Sequence, residues 1–130
     1  MIFSITIDGK VVYQHRSRMM CIKWLAENGY NGQHELISEE FDKDIDYKSV
    51  DDYSVTRLVA SEVLGYFNEE GGFGYLGSFK KALYDLMCLA DSSNFGTLRN
   101  SFLPDGEAIA LYKFDKDGLE ILKAHAQYGR

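Results

Sequence analysis

Phe3-Ser4-Ile5-Thr6-Ile7-Asp8-Gly9-Lys10-Val11-Val12-Tyr13-Gln14 decides how the chain begins. Phe3, Ile5 and Ile7 alternate with Ser4 and Thr6, the period of two that belongs to a strand with one buried face. Asp8-Gly9 is the dipeptide a two-residue hairpin turn asks for, because both positions need positive φ. Lys10 to Gln14 return as the second strand. Ser17 can cap a helix over 18–28, in which Cys21, Ile22, Leu25 and Ala26 share one face and Gly29 marks the end. Met20 and Trp24 leave the same helix on another flank, where either a second layer covers them or they form a contact patch. Residues 1–30 thus predict a ββα unit.

Outward from that unit the pattern turns helical. Glu35-Leu36-Ile37-Ser38 fits a short strand or a helical turn. A second helix is expected over 50–67, opened by a capping box at Ser49-Val50-Asp51-Asp52 and carrying Val55, Leu58, Val59, Val63 and Tyr66 as its apolar stripe. Four glycines among residues 68–77 require a loop, whose Phe73, Tyr75 and Leu76 are expected to tuck back between the flanking helices, the alternative being a mobile loop with Phe73 and Tyr75 as anchors for a partner. Ser78 then caps a third helix over 79–90, with Phe79, Ala82, Leu83, Leu86 and Met87 on one face. A short fourth helix starts at Ser92 or Ser93 and stops before Pro104. Residues 108–114 read as a strand followed by a turn at Asp117-Gly118, or as a helix followed by another over 118–127. The expected fold is α+β: a β-hairpin plus helix packed on a C-terminal helical group, with residues 1–130 as a single domain, 1–30 its ββα part and 50–103 its helical module.

Composition narrows the function classes. The 130 residues are 45% hydrophobic and 14% aromatic, enough for a real core. The net charge of −6 provides no general attraction to nucleic acid or to an anionic membrane. No apolar run approaches the ~18 residues of a membrane span, and the alternating start lacks the pattern of a secretion signal, so the expected location is the cytoplasm. Residues 39–52 hold seven acidic and two basic groups, a local net charge of −5. The rest of the chain is close to neutral.

Motifs that carry chemistry are few. Gly72-x-Gly74-x-x-Gly77 spells a dinucleotide fingerprint, but that motif works only after a strand, and here a helix ending in Asn68-Glu69-Glu70 precedes it. Asp42, Asp44 and Asp46 are spaced like the first ligands of a calcium loop, yet Tyr47 stands where its glycine belongs and Tyr53 where its final acid belongs. His15, His34 and His125 lack ligand spacing. Cys21 and Cys88 read as free thiols. Cys88 lies near Lys81 and Tyr84 in projection, where a lysine could activate it. Glu62 sits within an apolar stripe, which calls for solvent or for a partner such as Arg99. No cofactor and no metal is expected.

Leu58-Val59-Ala60-Ser61-Glu62, Gly77-Ser78-Phe79-Lys80-Lys81-Ala82-Leu83 and Ala90-Asp91-x-x-Asn94-x-x-x-Leu98-Arg99-x-x-Phe102 together resemble a family of short, uncharacterised domains encoded by phages and prophages. The resemblance covers about residues 54–103. In that family a proline follows the phenylalanine directly, whereas here Leu103 intervenes before Pro104. The resemblance implies a helical module with no catalytic residues to transfer, in an accessory protein that binds a host protein.

The sequence therefore leads to a non-enzymatic, phage-type factor that binds a host protein with a basic surface, such as a bacterial defence or nucleic-acid-handling complex. Its candidate contact residues are Glu39, Glu40, Asp42, Asp44, Asp46, Asp51 and Asp52 in the acidic segment, with Trp24, Phe73 and Tyr75 as aromatic anchors. A small enzyme with a thiol or carboxylate site assembled by folding is the competing expectation, and a structural phage oligomer is the third.

Overall fold

Asp8 and Gly9 take positive φ, 52° and 77°, in the computed structural model of the chain, so the dipeptide makes the turn its chemistry favours. The structure describes residues 2–30, 36–40, 55–73 and 75–130. The chain divides into two compact units, Met1–Asp52 and Tyr53–Arg130.

In the first unit the turn joins β1 (Ile2–Ile7) to β2 (Lys10–His15). Ile5 pairs with Tyr13, but Thr6 pairs with Val11. Val12 is thus the extra residue of a β-bulge, and two consecutive valines, Val11 and Val12, stay exposed. Ser17 caps α1 (Arg18–Glu27) by accepting the Met20 N–H at 3.4 Å, and Gly29 leaves the helix with φ 84°. The open reading of residues 35–38 resolves to a strand from Ile37 onward. Here β3 (Ile37–Glu40) lies antiparallel to β1 on the side away from β2, giving the order β2-β1-β3. Phe3 and Ile5 from the sheet and Cys21 and Leu25 from α1 form the core. The Cys21 thiol donates to the Phe3 carbonyl at 3.6 Å.

The second unit is helical: α2 (Arg57–Tyr66), α3 (Ser78–Leu89), α4 (Ser92–Ser101), α5 (Leu103–Phe114) and α6 (Gly118–Tyr128). The fold is α+β. Three expectations need correction. The second helix starts at Arg57, since Thr56 precedes it in extended conformation. Its cap is Thr56, whose hydroxyl accepts the Val59 N–H at 3.2 Å, while Ser49 to Asp52 lie outside the described residues. Val55 and Ala60 are both buried at the N′ and N4 positions of a hydrophobic staple, so the start is fixed by apolar packing. Ser78 is the first residue of α3 and Gly77 its cap, with no side-chain bond. Of the expected face of α3 only Leu83 and Met87 are buried, joined by Tyr84, while Phe79, Ala82 and Leu86 point outward.

Helix α4 is capped by Asp91, whose carboxylate accepts the Asn94 N–H at 2.8 Å. The strand reading of 108–114 gives way to α5, with Pro104 in its first turn, a position that does not need the missing N–H. Helix α5 is buried from Asp105 to Leu111 and packs against α2, α3, α4 and α6. The helical group thus extends past residue 103 to α6, which packs on α2.

The loop after α2 returns close to the helix. A Cβ on Gly65 would overlap the Phe73 carbonyl oxygen, and the Phe73 N–H donates to the Ser61 carbonyl at 3.1 Å. Gly65→Ala should therefore lower stability by about 2 kcal/mol or more, as overpacking against backbone does. Gly96→Ala, where a Cβ in mid-helix meets nothing within 4 Å, should raise it by about 0.5–1 kcal/mol. Urea midpoints of the two variants check both signs.

Candidate functional site

Helix periodicity brings Lys80, Leu83, Tyr84 and Met87 to one side of α3, and that side turns inward toward Asp105 in the first turn of α5. The Lys80 Nζ and the Tyr84 hydroxyl each donate to Asp105 Oδ1 at 2.5 Å. Glu62 of α2 brings its Oε1 to 3.8 Å from the same ammonium. Two residues along α5, Glu107 accepts two bonds from Arg99, from Nε at 2.7 Å and Nη2 at 2.9 Å. Asp105 and Glu107 are both buried. The partner expected for Glu62 was Arg99; the structure gives Arg99 to Glu107 and sets Glu62 beside Lys80.

The members of this cluster bond one another. Burial pushes the Tyr84 phenol strongly upward, and its bond to Asp105 and the charges of Asp105 and Glu62 add to that. The hydroxyl stays protonated and acts as a donor. Cys88 is half-buried, one turn beyond Tyr84 on α3. Its thiol adds to the upward push on Tyr66, whose hydroxyl donates to Asp85 at 2.5 Å, with burial as the largest cause. Its backbone carbonyl accepts from Lys113 at 3.3 Å, a cation at the C-terminal end of α3.

The contact residues expected from sequence fall in different places. Glu39 and Glu40 lie in β3, paired through their backbones with Phe3 and Ile2. Asp42, Asp44, Asp46, Asp51 and Asp52 lie outside the described residues. Trp24 is half-buried against the core of the first unit, stacked between Tyr13 (ring centroids 5.8 Å apart) and Tyr30 (6.4 Å). Phe73 and Tyr75 belong to the second unit, 49% and 82% exposed. The loop that carries them was expected to tuck these rings between helices. The structure tucks the backbone and turns the rings out, because Gly65 and Gly72 let the main chain, and no side chain, fill the space beside α2.

Sequence reasoning missed the outward residues of α3. Phe79, Leu86 and Leu89 are 67%, 51% and 84% exposed. The available signal was a second apolar stripe at helical spacing beside the first. Among the described residues, no group of three or more His, Cys, Asp or Glu could hold a metal, and no helix is long and apolar enough to cross a membrane. Compared with known protein families, curated proteins and solved structures, the chain matches none.

The Tyr84 shift sets a pH dependence. A phenol whose folded pKa lies above its unfolded value near 10 contributes stability fully below about pH 10 and loses it as pH rises further, at about 1.4 kcal/mol per pH unit. Urea unfolding at pH 8 and at intervals above pH 10 should show this fall. Tyr84→Phe should lower stability at pH 8, since Asp105 loses a buried donor, and should flatten the alkaline slope.

Proposed function

We propose that the protein is a non-enzymatic binding factor of the phage accessory type, acting in the cytoplasm of the host cell on a host protein with a basic surface. The observation that carries this reading is a loop with a fixed backbone and exposed rings. Glu69 N–H donates to Leu64 at 2.8 Å, Phe73 N–H to Ser61 at 3.1 Å, and the Glu69 carboxylate accepts from Tyr112 at 2.8 Å. Phe73 is then offered to solvent from a path that needs little further ordering, and Tyr75 is exposed as well. Aromatic side chains are favoured anchors in interfaces, and preorganisation lowers the entropy cost of binding.

The acidic segment supplies the second element. Seven carboxylates and two lysines within residues 39–52 make a surface that attracts a basic partner and speeds its approach. The resemblance of residues 54–103 to phage and prophage domains supports a host protein as that partner, and a defence or nucleic-acid-handling complex fits the charge. The enzyme reading draws less support, because Asp105, Glu107, Lys80 and Arg99 are engaged with one another.

Capture from host lysate followed by mass spectrometry identifies the partner, and titration calorimetry then tests the surface. Phe73→Ala and Tyr75→Ala should keep the melting temperature within a few degrees and weaken binding, each by about 1–2 kcal/mol. Converting Glu39, Glu40, Asp42, Asp44 and Asp46 to amides should weaken binding at 0.1 M salt. At 1 M the difference should shrink, because the screening length falls from about 10 Å to about 3 Å. Unchanged affinity of the amide variant at low salt would remove the acidic segment from the site.

A further inference from the structure

Helix α3 carries two apolar stripes. Leu83, Tyr84 and Met87 face the interior. Phe79, Ala82, Leu86 and Leu89 follow one another at intervals of three, four and three on the other side, and all four are exposed. That interval is the a/d spacing of a helix that packs along another helix, and a helix apolar on both sides is one that is covered on both. Within the chain α3 packs on α4 and α5 and bonds Tyr66 of α2 through Asp85; the Phe79 ring lies 6.2 Å from that of Phe102 between centroids, while Ala82, Leu86 and Leu89 keep their exposure.

We propose that the stripe pairs with the α3 stripe of a second copy of the chain, antiparallel, about a two-fold axis at the level of Tyr84. The stripe is self-complementary in that arrangement, as a two-fold interface requires. Antiparallel a/d layers set Phe79 across from the partner's Leu89 and Ala82 across from the partner's Leu86. The small residue therefore leaves room for the large one. A parallel pair would instead set Ala82 on the partner's Ala82, leaving a gap.

The area sets the strength. The exposed fractions of these four side chains leave on the order of 400 Å² of apolar surface per copy. With the flanking polar atoms, two copies cover about 1,000 Å², the lower bound of a specific interface. The pairing is therefore weak and depends on protein concentration. It uses α3 and not the Phe73–Tyr75 loop, so its failure would leave the host-binding reading standing.

Sedimentation equilibrium of the full chain tests it. The average mass should rise from 14.8 kDa toward twice that value as concentration increases. Leu86→Glu and, separately, Leu89→Ser should hold it at the lower value, while circular dichroism shows an unchanged helical fold. The orientation has its own readout, in Phe79→Cys and Leu89→Cys variants, each also carrying Cys88→Ser. Mixed and oxidised, they should form the mixed disulfide and neither homodisulfide, because like positions lie ~15 Å apart along an antiparallel pair. A single-chain mass at every concentration, self-association that survives both substitutions, or a predominance of homodisulfides would overturn the proposal.

Discussion

Asp105 is a carboxylate placed where a helical unit has its interior, and the geometry of that unit follows from neutralising it. Breaking such a buried pair by removing one partner costs about 3–5 kcal/mol, because the remaining charge is left without compensation. Lys80 and Tyr84 both come from α3, one turn apart, and both reach the same carboxylate oxygen. Their convergence fixes the rotation of α3 about its own axis. Once Lys80 and Tyr84 face inward, Leu86 and Leu89 face solvent, and Phe79 meets Phe102 and is otherwise exposed. The exposed stripe is a consequence of the buried charge.

The same interaction positions α5. Asp105 stands in its first turn, where the helix dipole favours a negative charge, and Glu107 is clamped by Arg99 from α4. Two ion pairs thus hold the N-terminal end of the most buried helix against α3 and α4. Close backbone contact does comparable work nearby. A Cβ on Gly106 would lie 2.5 Å from the Arg99 Cα, so α4 and α5 approach more closely than any larger residue permits.

The sequence made some of this legible and left some hidden, for local physical reasons. The hairpin was readable because Asp8-Gly9 admits few alternatives and Phe3, Ile5 and Ile7 alternate cleanly. Ser17 and Gly29 bounded α1 by capping chemistry that acts within a few residues. The start of α2 was misplaced because Ser49 and Thr56 are equally good caps, and the choice between them depends on Val55 and Ala60 being buried together. The face of α3 was misread because Phe79 and Leu86 are as apolar as Leu83 and Met87. What tells the stripes apart is Asp105, some twenty residues further on, drawing Lys80 inward. Helix α5 was ambiguous because a helix buried nearly all round shows no amphipathic period. Among the candidate contact residues, Phe73 and Tyr75 were legible as glycine-loop aromatics. Their outward orientation was not, since it depends on Gly65 admitting the main chain.

The bulge at Val12 has a bearing on how the chain behaves when concentrated. Strand β2 borders the sheet, so the backbone groups on its outer edge form a template onto which another extended segment could hydrogen-bond. Val11 and Val12, both exposed, would add to the attraction. A regular edge of this composition is the starting point for stacking into fibrils. The extra residue twists the strand and breaks the repeat of its hydrogen-bonding groups, so an incoming strand cannot match them along its length. The bulge therefore works against growth of the sheet on that side.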